Sequence, residues 1–135
     1  MIRILAPTAV WAFPLHWLWE TAHGVAYVQT RLPLFTRLWH CLPMAIIDVG
    51  WTAALVAAGL ALAAATRQAA MRWWGATALG IVTAVGLEMW AIGQRRWSYN
   101  ELMPVLPFVR VGLWPVLQMA LVPAAALWLA ERRVR

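Results

Sequence analysis

The sequence contains no lysine and few acidic residues: eleven arginines supply all the basic side chains, against five aspartates and glutamates. Charged residues make up only 12% of the 135-residue chain, whereas a soluble domain carries about a quarter. The hydrophobic share is 64%, and a chain of this length cannot bury so much apolar surface in one aqueous core. The composition therefore predicts a single integral membrane domain over residues 1–135.

Several motifs are also absent. Cys41 is the one cysteine, which excludes an internal disulfide. The chain has no glycine-rich phosphate loop, CxxC pair, HExxH motif or nucleophile elbow, which argues against kinases, NTPases and standard zinc proteases. The formal net charge of +6 comes from arginines between or beyond apolar runs, so we expect contact with lipid headgroups and no nucleic-acid partner. No pattern indicates a particular cofactor.

Four apolar runs cover roughly residues 4–28, 43–65, 71–93 and 111–130. Each is close to the ~20 residues that a helix needs to cross the hydrocarbon of a bilayer. Because lipid offers no partners to backbone groups, we expect an all-α membrane protein, an up-down bundle of four transmembrane helices. The connections between helices 1 and 2 and between helices 3 and 4 mix arginine, proline and aromatic residues, so both are predicted to be interfacial segments.

The arginine distribution gives a small bias in orientation. Six arginines fall on the side of the two termini and five on the other, which favours cytoplasmic termini. Exclusive use of arginine, with abundant alanine and tryptophan, indicates a bacterial source, and hence the bacterial cytoplasmic membrane. Many of the eleven tryptophans lie near helix ends, as in an aromatic belt.

Small residues recur every four positions in two of the predicted helices. One row is Ala76, Gly80 and Ala84; the other runs from Ala53 through Ala57 to Ala61. Such rows let helices approach closely. They predict packing within the chain, or alternatively a homo-oligomer or a larger membrane complex.

Three acidic residues lie inside the apolar runs: Glu20, Asp48 and Glu88. A charge near the bilayer centre costs at least about 2.5 kcal/mol, so such residues usually face the bundle or a wet cavity. In an up-down bundle all three reach a similar depth, in the leaflet next to the two longer connections. This predicts a carboxylate- and histidine-lined cavity near the outer face.

The cavity residues suggest two kinds of chemistry. For acid–base work, Glu88 or Glu20 would donate a proton and Asp48 would be the partner carboxylate. The predicted substrate-binding residues are Trp97, Tyr99, Asn100 and Gln118. Alternatively, His16, Glu20 and His23 share one helical stripe and could hold a transition metal. The acids could also simply pair with donors and stabilise the bundle.

A set of short strings carries a resemblance to known proteins. They are Trp19-Glu20 with Tyr27, Trp39-His40-Cys41 followed by Asp48, Glu88 followed by Arg96-Trp97-Ser98-Tyr99, the run Met103–Pro107, and the run Gly112–Gln118. Together they resemble a family of small four-helix bacterial membrane proteins, which implies that fold and no particular activity.

A weaker likeness is to membrane sterol isomerases and small membrane terpene cyclases. It is carried by His16, the Trp19-Glu20 pair and Glu88, and it implies that the intramembrane carboxylates act as acids. The sequence lacks the fifth span of those proteins.

We therefore expect a multi-pass membrane protein that binds, or performs acid–base chemistry on, a lipid-like or isoprenoid-like molecule. The alternatives are a metal-binding or metal-transport accessory protein and a structural subunit of a larger membrane complex.

Overall fold

A computed structural model describes residues 2–134 of the chain, and the side chains of residues 3–133. The described part is helical and contains no named strand. Its helices are α1 (Ile2–His23), α2 (Leu34–His40), α3 (Leu42–Thr66), α4 (Met71–Gly93) and α5 (Leu113–Val134), with a 3₁₀ turn at Gly24–Ala26 after α1.

Three helices are long and apolar enough to cross a membrane: α3, α4 and residues Leu113–Arg133 of α5. The all-helical fold and these three helices are consistent with the prediction of an all-α, multi-pass membrane protein, and a fourth span is not shown. Helix α1 has 22 residues but does not reach the same hydropathy. Its sequence includes two prolines, His16 and Glu20, each of which makes it less apolar.

The four long helices form one bundle. Helix α1 packs against α3 and α5, and α4 packs against the same two helices, so the order around the bundle is α1, α3, α4, α5. Neighbours run antiparallel, because each connection joins two helices at the same end of the bundle. The short turn from α3 to α4 lies at one end, with Arg67 in the left-handed conformation at φ 57°. The connections 24–41 and 94–112 lie at the other end, hereafter the loop end.

Glycine allows two of the helix contacts to be very close. A side chain on Gly59 of α3 would overlap the carbonyl of Arg72, and one on Gly80 of α4 would overlap the carbonyl of Met119. The row Ala76, Gly80 and Ala84 is buried, as the sequence indicates. In α3 the predicted alanine row is only partly buried; the buried positions include Thr52, Val56 and Gly59 instead.

The two connections at the loop end pair with each other. Tyr27 and Tyr99 form an antiparallel bridge. Beside it, the Val28 N–H donates to the Ser98 carbonyl at 3.0 Å, and the Asn100 N–H donates to the Ala26 carbonyl at 3.0 Å. Helix α1 ends at His23, earlier than the predicted residue 28, because the chain turns there to enter this pairing.

The first connection also contains a helix that the sequence analysis did not predict. Helix α2 has seven residues and no buried side chain. Phe35 is 75% exposed and Trp39 is 64% exposed, while the backbone is attached to α1 by a hydrogen bond from the Trp17 indole to the Leu38 carbonyl at 2.7 Å. Apolar side chains displayed in this way suit the predicted interfacial position.

Candidate functional site: a cavity at the loop end

A cavity of about 420 Å³ lies at the loop end of the bundle. Its walls come from all four long helices and from both connections. Five of the residues that the sequence analysis selected line it: Glu20, Asp48, Glu88, Trp97 and Gln118. The antiparallel arrangement brings the three acids together because α1 and α4 end, and α3 begins, at the loop end.

Glu20 and Asp48 both lie on the cavity wall, and their side chains are 17% and 15% exposed. Within residues 3–133 neither acid has an arginine within 4.0 Å; the nearest bases are His16, 3.8 Å from Asp48, and His23, 4.0 Å from Glu20.

A buried hydrogen-bond chain supports Asp48 from behind. The Gln118 amide nitrogen lies 3.0 Å from Oδ2 of Asp48 and 2.9 Å from Nδ1 of His16. An amide nitrogen can only donate, so Nδ1 accepts and the ring proton is on Nε2. Nε2 then donates to the Thr52 hydroxyl at 2.7 Å. His16 and Thr52 are fully buried, and the chain links α1, α3 and α5 at one level.

Glu88 has a different environment, because three donors converge on it. The Tyr27 hydroxyl donates to Oε1 at 3.3 Å; the Trp97 indole donates to Oε2 at 3.2 Å, as does the Tyr99 hydroxyl. The Gly112 N–H donates to the Tyr99 oxygen at 2.8 Å, which leaves the Tyr99 proton for Glu88. Glu88 therefore acts as an acceptor that attaches both connections to α4.

Burial raises the pKa of both tyrosines above its ordinary value, and the Glu88 carboxylate raises it further. Tyr27 and Tyr99 therefore remain protonated donors at neutral pH.

Two predicted substrate-binding residues lie outside the cavity lining. Tyr99 donates its hydroxyl proton to Glu88 and does not line the cavity. Asn100 holds the two connections together: its Nδ2 donates to the Val25 carbonyl at 2.7 Å, and its side-chain oxygen accepts from the Leu102 N–H at 2.9 Å. Both contribute to the cavity by shaping its rim.

The predicted metal stripe does not converge on one point. The two ring nitrogens of His16 form hydrogen bonds with Gln118 and Thr52. His23 donates from Nδ1 to the Trp19 carbonyl at 2.8 Å. Among the described residues, no group of three His, Cys, Asp or Glu side chains is arranged to hold a metal ion. The metal site of His16, Glu20 and His23 remains a sequence-based prediction that this arrangement does not support.

The cavity has an apolar side that the sequence analysis missed. Met44, Ile47 and Trp51 line it from α3, and Leu87 and Trp90 line it from α4. Ile47 and Trp90 are also each 53% exposed. Met44, Ile47, Asp48 and Trp51 follow the spacing i, i+3, i+4, i+7, so this face of α3 could have been recognised from its period.

Comparisons with family models, with curated proteins and with solved structures gave no match. The site is therefore interpreted from its own chemistry.

Proposed function

We propose that the chain crosses the bacterial cytoplasmic membrane four times, with both termini in the cytoplasm and the loop end outside. Support for α1 as the fourth span is its place in the bundle, in contact with both α3 and α5. Its least apolar side chains are shielded: His16 is fully buried and Glu20 faces the cavity. A helix of this kind can cross a bilayer although its composition is less apolar than that of its neighbours.

We further propose that the cavity binds a lipid-like or isoprenoid-like molecule, which enters sideways between α3 and α4. The observation that carries this proposal is a single cavity with largely buried acids at one wall and exposed apolar side chains at another. Its volume of about 420 Å³ falls within the ~300–1,000 Å³ of pockets that hold small molecules. The polar group of the ligand would lie at Glu20 and Asp48, and its apolar part would pass Ile47 into the bilayer.

In this proposal the three acids have different roles. Glu20 and Asp48 contact the ligand, and a carboxyl group at this position can give a proton to it or take one from it, which is the basis for acid–base chemistry at this site. Gln118 positions Asp48. Glu88 is a positioning residue, because its partners hold Trp97 and Tyr27 at the cavity rim.

A matched pair of substitutions on α3 tests lateral entry. Ile47 lines the cavity and is 53% exposed; its neighbour Ile46 is 58% exposed and is not among the lining residues. Protein purified in mild detergent should carry a bound lipid-like molecule, detectable by mass spectrometry of its organic extract. Ile47→Trp should abolish that signal, and Ile46→Trp should leave it intact. Equal extracts from both variants would refute the proposal.

A further inference from the structure

The end of the bundle opposite the loop end is strongly basic. Within residues 3–133, five arginines lie there with a single acid, Glu131. The arginines are Arg3, Arg67, Arg72, Arg132 and Arg133. Glu131 is already paired, because its Oε1 lies 2.9 Å from Nε of Arg72. No described carboxylate lies within 4.0 Å of the other four arginines. This end, hereafter the basic end, therefore carries positive charge without a counter-ion from the described part of the chain.

Two of these arginines are stacked on tryptophan rings. The guanidinium carbon of Arg132 lies 3.6 Å from the centre of the Trp128 ring, and that of Arg133 lies 4.7 Å from the centre of the Trp11 ring. The second contact joins α5 to α1. A stacked guanidinium uses its face, so the N–H donors in its plane stay available. No described residue accepts a hydrogen bond from either guanidinium, and both side chains are exposed. The rings therefore hold two guanidinium groups in place with their donors unused.

Exposed side chains continue from the arginines along both helices and form two ridges. The ridge on α5 consists of Arg132, Trp128, Ala125 and Leu121. The ridge on α1 consists of Arg3, Ala6 and Val10. The spacings of three and four residues place each ridge on one face of its helix. Because α1 and α5 are antiparallel neighbours, both ridges start with arginine at the basic end and then become apolar. The α5 ridge covers eleven residues, or ~16 Å, which is close to half of the ~30 Å hydrocarbon of a bilayer.

We propose that this α1–α5 edge binds one anionic phospholipid. Its phosphate contacts the guanidinium groups of Arg132 and Arg133, and an acyl chain lies along the ridge from Trp128 to Leu121. Arginine donates two parallel N–H bonds to a phosphate, and a net negative headgroup also offsets the charge of the basic end. A soluble phosphate would leave the apolar ridge uncovered, and a zwitterionic lipid would leave the charge in place. The site lies at the opposite end of the bundle from the cavity and is independent of any ligand there.

Native mass spectrometry of the wild-type chain tests the preference for an anionic lipid. The protein, purified in a nonionic detergent, is titrated with dioleoylphosphatidylglycerol or with dioleoylphosphatidylcholine. We expect one phosphatidylglycerol to bind first, and phosphatidylcholine to bind at least about tenfold less tightly, because each basic residue near an anionic headgroup contributes about fivefold in affinity. Glycerol 3-phosphate at the same concentration should not displace the lipid. Equal affinity for the two lipids, or displacement by glycerol phosphate, would overturn the proposal.

Variants then locate the site. Arg132→Gln and Arg133→Gln should each weaken phosphatidylglycerol binding about fivefold. Arg67→Gln is the matched control: Arg67 is exposed at the same end, but it lies in the turn from α3 to α4, at the opposite edge of the bundle. This variant removes the same charge and should change the affinity less than about twofold. Equal weakening at Arg67 would mean a diffuse attraction to the whole basic end and would exclude a site at the α1–α5 edge.

Replacing both stacked arginines by lysine separates geometry from charge. The variant with Arg132→Lys and Arg133→Lys keeps the charge but loses the planar groups that stack and donate two parallel bonds. It should bind phosphatidylglycerol about tenfold less tightly than the wild type, since at least one hydrogen bond to a charged group is lost. Size exclusion and circular dichroism check that it is folded. Wild-type affinity in the lysine variant would show that the stacked guanidinium groups do not hold the phosphate, and the proposal would then be wrong.

Discussion

Replacing Glu88 by glutamine should loosen the loop end while leaving the bundle intact. The carboxylate accepts hydrogen bonds from Tyr27, Trp97 and Tyr99. A hydrogen bond to a charged group contributes about 1.5–3 kcal/mol and a neutral one about 0.5–1.5 kcal/mol. Loss of the charge therefore costs about 1 kcal/mol per bond, or about 3 kcal/mol for the three together. That corresponds to roughly a hundredfold increase in opening of the paired connections.

Hydrogen exchange measures this opening directly. The amides of Val28 and Asn100 bond across the two connections, so both should exchange about a hundredfold faster in Glu88→Gln. Amides in the middle of α3 should exchange at the wild-type rate.

Glu101→Gln is the matched control, because Glu101 lies in the second connection and forms only an exposed ion pair with Arg31 at 3.1 Å. Such pairs contribute about 0–1 kcal/mol, so its exchange should change little. Equal effects of the two substitutions, or no effect of Glu88→Gln, would refute the view that Glu88 attaches the connections to α4.

Two further results are expected. Burial raises the pKa of the Cys41 thiol to about 11; the charge of Glu20 adds to this increase and that of Arg37 opposes it. Because the thiolate is the reactive form, alkylation by iodoacetamide should be slow at pH 7 and accelerate as the pH approaches 11. Rapid reaction at pH 7 would contradict the described burial. If α1 crosses the membrane, reporters fused before Met1 and within residues 98–103 should report opposite compartments, and the same compartment for both would leave only three spans.

The long apolar helices could be predicted closely from the sequence. A spanning helix satisfies its own backbone hydrogen bonds, so its extent follows from the local run of apolar residues. The predictions 43–65 and 71–93 agree with α3 (Leu42–Thr66) and α4 (Met71–Gly93) to within one residue at each end. The start of α5 and the end of α1 were less accurate, because contacts between the two connections determine them.

Helix α2 was missed for a different reason. It has seven residues, about two turns, and buries no side chain. The sequence therefore shows no helical spacing of apolar residues in this segment.

The acids of the site could be predicted, but their partners could not. Depth along an antiparallel bundle follows from counting residues, and this places Glu20, Asp48 and Glu88 at one level. Which donor each acid meets depends on helix rotation and side-chain conformation. Glu88 and Asp48 look alike in the sequence, yet Glu88 accepts from tyrosine and tryptophan donors and Asp48 accepts from the amide of Gln118.

Thr52 provides the sharpest test of the buried chain behind Asp48. Its hydroxyl accepts from the His16 ring at 2.7 Å, and both side chains are fully buried. Valine has nearly the same shape as threonine, so Thr52→Val creates no cavity but leaves the His16 N–H without an acceptor. An unsatisfied buried donor costs about 1–3 kcal/mol, and we expect that loss in the free energy of unfolding measured by denaturant titration in mixed micelles.

The control for this measurement is Thr83→Val in α4. Thr83 is only partly buried and forms no side-chain hydrogen bond among the described residues, so its replacement should change stability by no more than about 0.5 kcal/mol. Gln118 contacts the same ring, so a displaced His16 should also release the Gln118 amide, and Thr52→Val should weaken binding at Asp48 where Thr83→Val does not. If the two valine variants are equally stable, His16 does not depend on Thr52, and the assignment of the His16 ring proton to Nε2 is wrong.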